Sequence, residues 1–121
     1  MNPADLFRHD DNPVLLNPGD ALFHAGEPGM EMFVLLEGSV QIMIKDKLIE
    51  TLGPGELVGE MALIDESPRA ATVVAVTPCR LARINLRRFH FLVQQNPFFA
   101  SHVMKVLVER IRKLNQQLVA H

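Results

Sequence analysis

The chain has 121 residues, 48% hydrophobic and only 6% aromatic, with a formal net charge of −2, which suits one compact domain and leaves too little chain for two. Charges of both signs are interspersed, so the strong basic field that carries non-specific nucleic-acid affinity is missing, and the longest apolar runs are too short to span a bilayer. Cys79 is the single cysteine, which excludes an internal disulfide and any four-thiolate metal site within one chain; it reads as a small core hydrophobe.

Met1 is followed by Asn2, Pro3, Ala4 and Asp5, which is no secretory leader, and the expectation is a cytoplasmic protein with no membrane insertion. Residues 1–12 read as a short, polar lead-in. From Pro13 to about Asn85, short β-type runs alternate with turn residues, the pattern of an antiparallel roll or sandwich rather than of βαβ units. Strands are predicted at 14–16, 21–23, 32–36, 40–44 and 48–52. Asn17-Pro18-Gly19-Asp20, Gly26-Glu27-Pro28-Gly29, Gly38 and Lys45-Asp46-Lys47 supply the turns. After Gly53-Pro54-Gly55 the strand pattern breaks, and it resumes at 70–76 and 80–84. The interruption at 55–69 is where function is to be sought.

The remainder is helical. Asn85 can cap a helix over 86–95, and Asn96-Pro97 opens a second helix over about 97–119, with proline at a position whose missing N–H costs nothing. Met104, Leu107, Ile111, Leu114 and Leu118 recur at spacings of three, four, three and four, an a/d seam that predicts a homodimer through this helix. The alternative is that the seam packs on its own domain. Phe98, Phe99, Val103 and Val106 lie off the seam and are expected against the β-roll. Arg110, Arg112 and Lys113, with Glu109 alongside, read as a solvated face.

Residues 55–73 carry the chemistry. Gly59 permits close backbone approach, and Glu60-Met61-Ala62-Leu63 can form a helical turn whose free N–H groups face an anion. Arg69, after the Ser67-Pro68 return, can pair with a phosphodiester through two N–H groups. Glu60 has the wrong sign for phosphate, yet a carboxylate can accept from a ribose 2′-hydroxyl. An anion-binding turn, an arginine and a carboxylate together match the polar features of a cyclic ribose phosphate.

Gly59-Glu60-Met61-Ala62-Leu63 followed by Pro68-Arg69-Ala70-Ala71-Thr72-Val73 resembles, nearly residue for residue, the phosphate-binding cassette of the cyclic-nucleotide-binding domains of catabolite activator proteins and protein kinase A regulatory subunits. Upstream support comes from 18–23, 26–29 and 32–40, and the resemblance covers roughly 13–118. It implies a mainly β fold, an eight-stranded antiparallel β-roll of jelly-roll type with C-terminal helices. It also implies ligand contacts from the backbone N–H groups of Ala62 and Ala70 and the side chains of Glu60 and Arg69, within a site of Gly59, Glu60, Met61, Ala62, Arg69, Ala70 and Ala71. Leu57 is a further apolar candidate, and Leu114 and Asn115 are candidates to cover the base. Relatives that prefer cGMP carry a hydroxyl residue after the arginine; Ala70 there resembles the cAMP-preferring pattern, with cGMP as second candidate. Val58 stands where the family often has phenylalanine.

The five histidines show no HxH or HxxxH spacing, so the metal-bearing reading of a jelly roll lacks ligands, and Asp65, Glu66 and Ser67 have no histidine neighbour to form a catalytic centre. The expectation is therefore a non-enzymatic cAMP receptor module without cofactor or metal. It is expected not to bind DNA directly and to transmit occupancy through its last helix. The competing readings are a degenerate pocket serving as a dimerisation module, or the sensor fragment of a larger transcription factor, channel or kinase.

Overall fold

A computed structural model describes residues 2–7 and 9–119, apart from the side chains of Ile64, Asp65, Leu114, Gln117, Leu118 and Val119. Eight strands form two four-stranded sheets. In chain order they are β1 (Val14–Leu16), β2 (Ala21–Phe23), β3 (Glu31–Glu37), β4 (Val40–Ile44), β5 (Lys47–Leu52), β6 (Leu57–Val58), β7 (Thr72–Ala75) and β8 (Cys79–Asn85). The sheet orders are β1-β8-β3-β6 and β2-β7-β4-β5, with every pairing antiparallel. This is the expected eight-stranded roll. Helix α1 (Glu60–Asp65) interrupts it, and α2 (Leu86–Gln95) and α3 (Pro97–Val119) follow it.

β3 explains the layering. Its apolar run is buried on both faces, so strand alternation sends Phe33 and Leu35 into the space between the sheets while Met32 and Val34 face the helices. The first core also holds Phe23, Val58, Val73 and Leu81; the second holds Phe7, Leu57, Ile84, Phe99 and Val103. The β4–β5 hairpin turns on Lys45 and Asp46, both at positive φ (49° and 64°), the backbone of a primed turn whose twist suits a hairpin.

The Asn85 cap forms through its side chain, whereas at Asn96 it is the main-chain carbonyl that accepts. The Asn85 side chain accepts from the Arg88 N–H at 2.8 Å, and the Phe99 N–H donates to the Asn96 carbonyl at 2.9 Å. No helix among the described residues is long and apolar enough to cross a membrane.

Three expectations are corrected. β6 lies inside the segment read as strandless; two residues are too few for a period, and the pairing with β3 at Phe33 and Val34 creates the strand. The polar lead-in folds into a 3-10 turn at Pro3–Phe7 that buries Pro3 and Phe7. Arg88 holds it there, stacked 4.8 Å from the Phe7 ring and donating to Asp10 Oδ1 at 2.8 Å. Phe98 does not pack on the roll: it is 75% exposed, because its neighbour Phe99 takes the inward position.

Phe99 anchors α3, fully buried and edge-on to Phe89 at 6.0 Å. Phe99→Ala is expected to destabilise the fold by about 3–5 kcal/mol, the cost of an unfilled aromatic site. Denaturant unfolding measures it, and a loss under about 1 kcal/mol would show that α3 is not anchored there.

Candidate functional site

β6 delivers the chain to Gly59, whose left-handed backbone (φ 74°, ψ 19°) redirects it into α1. A side chain is excluded there twice over, because that φ disfavours L-residues and an added Cβ would lie 2.5 Å from Arg69 Nη1. The first N–H groups of α1 have no partner within the helix. Gly59, Glu60, Met61 and Ala62 form one wall of a cavity of about 250 Å³, and Ser67, Pro68, Ala70 and Ala71 form the return. Its floor comes from the second sheet, with Phe23, Val73 and Ile42 among its apolar members. The remaining polar lining comes from Glu50 on β5 and from Arg110 and Lys113 on α3.

Glu60 is the most constrained polar group, a carboxylate only 1% exposed. Its Oε1 accepts from Arg110 Nη1, and Arg110 Nη2 donates to the Leu57 carbonyl at 2.8 Å, so α3 is tied to both β6 and α1. Burial lowers the Arg110 pKa, opposed by Glu50 and Glu56; a guanidinium nevertheless stays cationic at neutral pH. The second carboxylate oxygen, Glu60 Oε2, is buried without a hydrogen-bond partner among the described residues. A buried acceptor in that condition carries a desolvation cost that a donated hydrogen bond removes.

Arg69 is held away from this cavity. Its guanidinium donates to the Gly59 carbonyl at 3.1 Å and the Glu31 carbonyl at 2.7 Å, and stacks 4.1 Å from the Phe23 ring. It lines a second cavity on the other side of Phe23, with Glu27, Met30, Glu31 and Arg83. Burial lowers its pKa, and Glu31 and Glu27 oppose that shift. Gly29 completes the berth: a Cβ on it would lie 2.5 Å from Arg69 Nε.

Of the residues singled out in the sequence, Gly59, Glu60, Met61, Ala62, Ala70 and Ala71 meet around one cavity. Arg69 sits behind the cassette wall. Leu57 is a core residue that offers its carbonyl to Arg110. Asn115 is exposed and outside the cavity lining, and the Leu114 side chain lies outside the described residues. Arg110 and Lys113 are the residues that sequence reasoning missed. Read as a solvated face, they pair with Glu60 and with Glu50, the latter at 2.7 Å. The signal available was helical phase: Arg110 stands seven residues after Val103 and Lys113 seven after Val106, both on the roll-facing side.

The family model for the cyclic nucleotide-binding domain matches residues 13–96. The cAMP-activated global transcriptional regulator CRP of Pasteurella multocida is 32% identical over 103 residues, 80% of this chain and 49% of that protein. A cyclic nucleotide-gated potassium channel of Mesorhizobium japonicum is 39% identical over 92 residues, 76% of this chain and 25% of the channel. Among solved structures, the Thermus thermophilus catabolite activator protein superposes with a TM-score of 0.80 at 28% identity, covering 88% of this chain and 53% of that one. The second cyclic-nucleotide domain of a protein kinase A regulatory subunit shares the fold, with a TM-score of 0.70 at 22% identity. The chain spans about half the length of the transcriptional regulators it matches. With the cassette built around Gly59 and Glu60 and the family model matched across the whole roll, this chain belongs to the cyclic nucleotide-binding domain family.

Proposed function

We propose that the chain is a cytoplasmic, non-enzymatic receptor for cAMP that reports occupancy through α3. The observation that carries this reading is Glu60, whose buried Oε2 lacks a donor among the described residues, at the wall of a cavity otherwise mostly apolar. A ribose 2′-hydroxyl supplies that donor, the free N–H groups of α1 meet the cyclic phosphate, and the apolar floor accepts a base. Ala70 offers no hydroxyl to a guanine, which favours cAMP over cGMP. Arg69 reaches the phosphate only after leaving the Gly59 and Glu31 carbonyls, so its recruitment is part of the binding event.

Because Arg110 of α3 pairs with Glu60, a ligand that engages Glu60 acts on the same contact that holds the helix. Occupancy then shifts α3 by the ligand's differential affinity for the two helix positions. Met104 and Ile111, 59% and 57% exposed, keep an apolar stripe free for a second copy, and Leu107 borders it half-buried; Leu114 and Leu118 of the same seam fall among the side chains not described. No direct DNA contact is assigned to residues 1–121, and the CRP and channel relatives leave a longer regulator, channel or kinase as the setting. The competing reading, a degenerate pocket on a dimerisation module, is favoured by one observation: Arg69 is engaged elsewhere.

Calorimetric titration with cAMP, cGMP and a cyclic dinucleotide separates these readings, with cAMP expected to bind most tightly and no binding of any of the three supporting the degenerate pocket. Arg69→Ala is expected to weaken cAMP by about 1.5–3 kcal/mol, roughly ten- to a hundredfold. Unchanged affinity would leave Arg69 a purely structural residue.

Glu60→Gln is expected to penalise cAMP more than 2′-deoxy-cAMP, since the latter lacks the hydroxyl Glu60 would hold; equal penalties refute the assignment. For assembly, Ile111→Asp on the exposed stripe is expected to convert a dimer to a monomer in light scattering. A wild-type monomer at high concentration, with and without cAMP, would remove the dimer from this proposal.

A further inference from the structure

One cross-strand row runs along the cavity floor, with Ile44 and Ile49 beside it. Phe23 on β2 pairs with Val73 on β7, Val73 with Ile42 on β4, and Ile42 with Glu50 on β5. All four side chains line the cavity. Residues in register across a sheet share one face, so Glu50 is the terminal, charged member of an otherwise apolar floor. Two strand spacings, on the order of 10 Å, separate it from Val73 beside the cassette return. The cassette takes the phosphate end of a ligand; Glu50 therefore stands under the other end.

Glu50 does not stand alone. Its Oε1 accepts from Lys113 Nζ at 2.7 Å, bringing a cation from α3 onto an acceptor from β5. Both residues, with Arg110, also line a neighbouring cavity of about 210 Å³ that includes Glu56, His102 and Glu109, so the pair forms part of the partition between the two spaces. The Glu50 side chain is 24% exposed and Lys113 60%, so the pair is worth little as a fold-stabilising contact. Glu60 and Arg110 are buried against one another, whereas the Glu50–Lys113 pair is partly exposed, and its carboxylate and ammonium keep further acceptors and donors to meet a base edge.

We propose that Glu50 and Lys113 are the base-reading pair of this site, Glu50 accepting from the exocyclic 6-amino group of adenine and Lys113 donating to the adjacent ring nitrogen. The inference rests on the reading of the cavity as a cyclic-nucleotide site. An ionised carboxylate has only acceptors and an ammonium only donors, so the pair is complementary to an edge with one donor beside one acceptor. Guanine in the same pose presents its 6-oxo group to the carboxylate, an acceptor against an acceptor, and is disfavoured.

The test compares cAMP with cyclic purine riboside monophosphate, which differs only by lacking the 6-amino group, on wild type, Glu50→Leu and Lys113→Met, each checked for an unchanged melting profile. Wild type is expected to prefer cAMP by about tenfold, the scale of one hydrogen bond to a charged group in a partly exposed site. Glu50→Leu is expected to abolish that preference and to bring cAMP and cGMP closer together. Lys113→Met is expected to weaken both adenine-type ligands alike, since both keep the ring nitrogen. A Glu50→Leu protein that loses both ligands equally, or loses neither, overturns the proposal and leaves the pair a tether between β5 and α3. Wild type that binds neither nucleotide overturns the reading of the cavity itself, and this inference with it.

Discussion

The contact on which the arrangement turns is the buried ion pair between Glu60 and Arg110. A carboxylate taken out of water at the start of α1 is tolerable only with a cation and hydrogen bonds around it, and Arg110 brings both from a helix some fifty positions further along the chain. Removing one partner of a buried pair typically costs about 3–5 kcal/mol, much of it the stranded charge that remains. The same pair decides where α3 lies. Near its start the helix is held by Phe99 and Val103, an apolar attachment indifferent to what fills the cavity. One stretch later it is held by Arg110 at the cavity wall, an electrostatic attachment to Glu60 and to the Leu57 carbonyl.

Arg69 obeys a complementary constraint. Two positions that accommodate no side chain, Gly29 and Gly59, bracket its guanidinium, and the Phe23 ring supports one face. Both bonded nitrogens donate to backbone carbonyls, and Nε is buried without a hydrogen-bond partner among the described residues. The berth is therefore incomplete in its hydrogen bonding. Arg69 thereby lines the cavity behind the cassette wall and not the one in front of it.

Much of this was legible in the residues. The turn glycines, the Asn85 and Asn96 caps and the alternation in 40–44 place seven strands and both C-terminal helices within a residue or two. The run from Gly59 to Val73 brings its small residues to one cavity. What escaped was tertiary in origin. β6 exists because β3 offers it an edge, not because Leu57-Val58 has a period. Phe7, beside Leu6 in an otherwise polar stretch, is buried because it joins the core that β3 and the helices share. Arg110 and Lys113 look solvated in any local window, since their carboxylate partners lie fifty and sixty-three positions away. The direction of the Arg69 side chain depends on two backbone carbonyls that carry no sequence signal at all.

The pairing of β1 with β8 bears on how the molecule is made. β8 is hydrogen-bonded on one side to β1 and on the other to β3, so it is the central plank of its sheet and also the last strand to be synthesised. Until Cys79–Asn85 has left the ribosome, β1 has no neighbour in its own sheet and β3 is paired only through the two residues of β6. Closure of such long loops is slow, and the open edges it leaves are where nascent chains associate wrongly. The sheet that holds β1 and β3 therefore closes only when β8 arrives, whereas the four strands of the other sheet precede β8 in the chain. Phe99 and Val103 follow within twenty residues of that strand to cover its outer face, making α3 the lid on a fold whose first and last strands have only just met.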